Sequence, residues 1–172
     1  METKTISERE GEKIFFIQPS FFKRYYELKS NEELLATLQQ KGFFGMTWNV
    51  SIGNKNWEIY KPSIWRTGYA VRPAGYDMPI AEFKRDGLRD RGTVQLQRGE
   101  RIKIIPHLFK GFTEITSEGE EQFVRIKSKT SLRDKAEVFI TKKSEIIDNN
   151  PWLVVLAYII SIEQRHRASH ST

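Results

Sequence analysis

This 172-residue sequence predicts an all-β fold: a closed antiparallel β-barrel around a buried hydrophobic C-terminal helix. Three observations lead there. Most of the chain alternates apolar and polar residues in period two, as half-buried strands do. The alternating segments, about ten in number, are short and separated by turn chemistry, which favours a sandwich or barrel over a βαβ architecture. The last apolar run, Trp152 to Ile162, carries no charge at all. A helix apolar on every side has no face to offer water and must be surrounded. A barrel has no edge strands, and a wide one needs something in its bore.

Residues 13–17 open the strands and Pro19-Ser20 breaks them; residues 21–28 follow. Residues 33–39 carry a conflict. Ser30-Asn31-Glu32-Glu33 spells a capping box ahead of Leu34-Leu35-Ala36-Thr37-Leu38, a good short helix by propensity, yet an antiparallel return strand fits the same residues. Residues 46–52 alternate cleanly, Gly53-Asn54-Lys55-Asn56 is turn chemistry, and Trp57-Glu58-Ile59-Tyr60 returns. Further strands are expected at 65–71, 80–84, 93–97 and 101–105, the last two joined through Arg98-Gly99-Glu100. Residues 112–116 and 122–127 flank Ser117-Glu118-Gly119-Glu120, and 136–141 is the final strand.

The terminal run reads three ways. At about 1.5 Å per residue, eleven helical residues span roughly half of a bilayer core, which argues against a membrane span. Its β-branched residues suit a buried strand. A helix over 151–165 is favoured by its ends: Asp148-Asn149-Asn150 offers a capping side chain, Pro151 falls at the first helical position, and Arg165 and Arg167 lie at the negative end of the dipole.

The order of elements across residues 13–165, with Asn150-Pro151-Trp152 through Ile162, the Trp57–Tyr60 segment and Gly92-Thr93-Val94-Gln95-Leu96-Gln97-Arg98-Gly99, resembles the tubby C-terminal-like superfamily. That group includes plant LURP-one-related proteins and phospholipid scramblases. The resemblance implies a closed barrel around a hydrophobic C-terminal helix, a strand at 33–39, and association with phosphoinositide headgroups or membranes. It brings no functional residue onto a numbered position here. A scramblase-type calcium site is not recognisable, and a palmitoylated cysteine cluster is ruled out because the chain has no cysteine.

Length predicts one domain over 1–172, with a polar N-terminal segment at 1–12 and a polar tail at 166–172. The absence of cysteine excludes disulfides and agrees with a reducing cytosol. The polar opening residues contain no signal-peptide pattern. Cytoplasmic placement, peripheral to a membrane, is the expectation. The formal charge of +6 favours anionic partners: lipid headgroups, an acidic protein or nucleic acid.

The best candidate for anion binding is the stretch Lys84, Arg85, Arg89 and Arg91, followed by Arg98, Arg101 and Lys103. Arginine's planar fork grips phosphate oxygens bidentately. Asp86 and Asp90 stand beside these cations as neutralising partners. A second basic region, Lys127, Lys129, Arg133, Lys135, Lys142 and Lys143, reads as the wet face of strands.

Catalytic chemistry finds little footing, with no Gly-x-Ser-x-Gly, P-loop or dinucleotide fingerprint. No cofactor and no metal site is expected. The i, i+4 pair His166 and His170 lacks a carboxylate to complete a metal site. The prediction is a non-catalytic binding or scaffold module that engages anionic headgroups or another acidic partner. Two alternatives stay open: an enzyme with a site at a barrel mouth, using His107 as acid or base, and a single-strand nucleic-acid binder using aromatics between cations.

Overall fold

The computed structural model describes residues 4–42, 46–63, 68–87 and 90–170. Among the described residues twelve strands form a closed antiparallel barrel in which each strand pairs with its sequence neighbours and β1 with β12. They are β1 (Ile14–Ile17), β2 (Tyr25–Ser30), β3 (Glu33–Lys41), β4 (Thr47–Ile52), β5 (Lys55–Tyr60) and β6 (Tyr69–Pro73). The circuit continues with β7 (Ala81–Arg85), β8 (Gly92–Gln95), β9 (Arg101–His107), β10 (Phe112–Ser117), β11 (Gln122–Ser128) and β12 (Lys135–Ile140). Helix α1 (Glu145–Asn149) and the long helix α2 (Trp152–Ser169) follow.

Period-two burial is visible along the wall. Ile14, Phe16, Tyr26, Leu28, Val50 and Ile104 face inward and are buried, while their neighbours face out. Charged residues such as Glu82 and Lys84 occupy the outer face, the inverse of a membrane-spanning barrel. Strands about 4.8 Å apart and tilted by about 40° close, at twelve, into a backbone cylinder roughly 24 Å across. Wall side chains leave a bore of roughly 12 Å, the width of an α-helix with its side chains.

Helix α2 fills that bore. Trp152 to Ile160 and Ile162 are at most 1 % exposed. The helix contacts β4 on one side and β9, β10 and β11 on the other; β4 and β10 lie six strands apart in the ring. Tyr158 stacks on Phe16 of β1 at 3.9 Å and meets Tyr26 of β2 edge-on. Among the described residues, no helix is long and apolar enough to cross a membrane.

Several details differ from expectation. Residues 33–41 are strand despite the capping box: Asn31 turns the chain at φ 53°, and Ser30 and Glu33 pair across β2 and β3. The Ser30 hydroxyl donates to Glu12 (2.6 Å) and caps nothing. Pairing on both sides of β3 outweighs local helix propensity. Residues 21–24 are not strand but a loop tip ahead of β2. Of the strand expected at 65–71, residues 65–67 lie outside the described set, and β6 starts at Tyr69. The expected cap from Asp148-Asn149-Asn150 is replaced by Pro151, with no side-chain bond. Asp148 instead accepts from the Ser7 amide (2.9 Å) and hydroxyl (2.6 Å), and Ser144 caps α1. The N-terminal segment is thereby packed onto α1, with Ile6 and Ser7 buried. Residues 166–169 continue α2 instead of fraying into a tail.

In an up-and-down barrel successive connections alternate between ends. The β1–β2, β7–β8, β9–β10 and β11–β12 connections share the end where α2 finishes. The N-terminal segment and α1 sit at the other end, with the β8–β9 and β10–β11 turns.

Candidate functional site

The cations singled out in the sequence divide among four places. On β7 to β9 the pleat sets Lys84, Thr93 and Lys103 side by side across the outer wall, and Gln95 beside Arg101. Lys84 and Arg101 line a groove of about 430 Å³ with Ile80, Glu82, Asp86 and Gln95. The groove is not purely cationic. Lys84 lies 3.6 Å from Glu82, and Arg101 donates to Glu118 at 2.8 Å. These exposed pairs hold little energy and exchange readily with solvent.

Arg85 is one residue out of phase with Lys84 and turns towards the mouth of the bore, only 11 % of its side chain exposed. Burial, then the neighbouring Arg167, holds its guanidinium below the ordinary value, with Asp90 at 3.6 Å. Arg91 is exposed on the β7–β8 connection at the same end. Arg98 lies at the opposite end, on a depression of about 300 Å³ shared with Glu100, Glu145 and Asn149. Arg89 is outside the described residues. Lys84, Arg101 and Lys103 are therefore brought together; Arg85 and Arg98 are not part of that face.

The second basic region splits by strand direction. Lys127, Lys129, Arg133 and Lys135 gather towards the α2 C-terminal end, and Lys142 and Lys143 lie at the other. Loops 18–24, 108–111 and 129–134, which crown that first end, hold Lys23, Arg24, Lys110, Lys129 and Arg133; Asp134 is their one carboxylate, and Lys129 also pairs with Glu137 of β12 at 2.5 Å. Asp134 is already occupied: Tyr26 donates to it at 3.1 Å and Arg165 of α2 lies 3.3 Å away. Burial, then the Asp134 charge, pushes the Tyr26 hydroxyl well above its usual range. Beside it Glu163 pairs with Lys61 at 2.8 Å, so both of these carboxylates are engaged internally. The opposite end carries an excess of carboxylates: Glu100, Glu118, Glu120, Glu121, Glu145 and Asp148 on its turns and α1 outnumber Arg98, Lys142 and Lys143, with Glu121 paired to Lys142 and Glu118 to Arg101. Sequence order hides this polarity, because residues from three distant loops meet only once the strands alternate direction.

His107 does lie beside a carboxylate. Its Nε2 is 2.8 Å from Glu114, which also accepts from Gln122 and from Arg125 at 3.2 Å. The cavity that His107 lines is about 100 Å³, well below the roughly 300 Å³ at which small-molecule sites begin. Ser161, on the same cavity, donates its hydroxyl to the Tyr158 carbonyl. With Glu114 shared among three donors, the arrangement is that of a surface network locking β9, β10 and β11 together.

Compared with protein-family models, curated proteins and solved structures, the chain matches none.

Proposed function

We propose that this barrel is a non-catalytic binding module whose basic end engages an anionic surface, the headgroups of acidic lipids. One observation carries the reading: charge is biased along the barrel axis, with an excess of cations at the α2 C-terminal end and an excess of carboxylates at the other. A body polarised in this way presents one end to a negative surface and turns the other away. Each lysine or arginine close to an anionic leaflet contributes about 1 kcal/mol, so five give at most roughly three to four orders of magnitude in partition. The filled bore supplies rigidity and holds the loops in register. The outer groove with Lys84 and Arg101 is the weaker candidate, since Glu82 and Glu118 pair with these cations and Asp86 lines it too.

Co-sedimentation with neutral and anionic vesicles, at low and physiological salt, tests the proposal. Binding should be selective for anionic vesicles and weaken as salt rises. Lys23→Glu/Lys110→Glu should weaken it at least tenfold and Lys84→Glu/Arg101→Glu less than twofold. The reverse ranking moves the site to the wall, and equal binding to both vesicle types removes the electrostatic reading.

A further inference from the structure

Exposed apolar side chains gather at the same basic end. Among the described residues nine large hydrophobic side chains are exposed, and five of them sit on the three loops just described. Phe22 is 98 % exposed, Phe109 107 % and Leu132 93 %, with Phe21 and Leu108 beside them. Leu34 and Phe139 are isolated on strands, and Tyr76 and Met78 flank Asp77 on one loop at the other end.

The tips are held out by their own loops. Phe109 rides a single 3-10 turn, Leu108–Lys110, closed by the Gly111 amide donating to the His107 and Leu108 carbonyls. Gly111 sits at φ 69°, where a side chain would be strained. Arg133 clamps the other two loops together: it donates to the Pro19 carbonyl at 2.7 Å and lies over the Phe21 ring at 4.9 Å. The Ser128 amide donates to the Gly111 carbonyl, joining the third loop to the second. Three consecutive connections on one side of the rim therefore form a braced edge, each with an apolar tip next to a cation: Phe22 with Lys23, Phe109 with Lys110, Leu132 with Arg133.

We infer that this edge inserts into a lipid bilayer: Phe22, Phe109 and Leu132 enter the headgroup–acyl boundary while the adjacent cations hold the phosphates. The inference rests on the anionic-surface reading and deepens it. Apolar tips next to cations suit a bilayer interface, which offers hydrocarbon and negative charge in one plane. An acidic protein pocket would have to supply three separate apolar holes around the same rim.

The test uses the full chain and vesicles of phosphatidylcholine with one-third phosphatidylserine. Because the chain has no cysteine, Phe109→Cys and, at the opposite end, Met78→Cys each accept one environment-sensitive dye. On vesicle addition the dye at 109 should shift to the blue and be quenched by spin-labelled acyl chains; that at 78 should stay aqueous. Phe22→Ser/Phe109→Ser/Leu132→Ser keeps every cation and should bind at least tenfold more weakly, each tip contributing up to roughly tenfold. Salt-sensitive binding with an aqueous dye at 109 and an unaffected triple variant would overturn insertion while leaving the electrostatic reading intact. No binding of the wild type would overturn both. A wild-type dimer that the triple variant abolishes would assign the tips to self-association and also overturn insertion.

Discussion

Leu156 lies midway along the apolar run of α2 and is wholly buried in the bore. Truncation to alanine removes three carbons from a space enclosed by hydrogen-bonded wall. Large-to-small substitutions of this kind cost about 2–5 kcal/mol, the upper half applying where the surroundings cannot collapse. Each strand of the barrel is tied to both neighbours, so the wall cannot close onto the void. Leu156→Ala should therefore cost about 3–5 kcal/mol, a large share of the roughly 5–15 kcal/mol that holds a domain together. In a chain of this size that lowers the melting temperature by roughly 6–20 °C. Urea unfolding followed by circular dichroism reads the effect as a shifted midpoint at unchanged slope. Leu34→Ala is the control: that leucine is 52 % exposed on β3, and its loss should cost less than about 1 kcal/mol. Equal costs at the two positions would refute a helix enclosed by the barrel.

Val155→Lys places an ammonium in the bore and should leave no folded protein by circular dichroism; a folded domain would mean that α2 lies outside. Ser7→Ala removes the donor to Asp148 and the acceptor of the Ser144 amide, and should cost about 1–3 kcal/mol in urea unfolding. Hydrogen bonds from Ser30 and Lys4 hold the Glu12 carboxyl at about 2 in the folded chain, below its ordinary value of 4.5. Its contribution is therefore present above pH 4.5 and lost as the pH falls towards 2. Glu12→Gln should flatten that part of the stability profile, and an unchanged acid limb would remove Glu12 from the account.

Much of the barrel was legible because period-two burial and turn residues are local signals. The clearest stretches, 46–52 and 122–127, became β4 and β11 with small changes at their ends. Where local signals disagreed, pairing decided: residues 33–41 have a helix-forming sequence and a strand's neighbours. Helix α1 has no signal in the sequence because five residues, held through the Ser7–Asp148 contact, are too few for a periodic pattern. Phe21 and Phe22 read as strand because aromatics favour strands, yet they stand exposed on a loop. The cations were visible one by one, but not their grouping. A single pleat step turns Arg85 to the mouth and Lys84 to the wall, and strand direction sends Arg133 and Lys142 to opposite ends.

Amide hydrogen exchange of the intact protein, with and without anionic vesicles, tests the docking end most directly. Slowed exchange confined to loops 18–24, 108–111 and 129–134 is the predicted result. Protection at 74–80 and 96–101 instead, or none anywhere on vesicles that co-sediment with the protein, would contradict it.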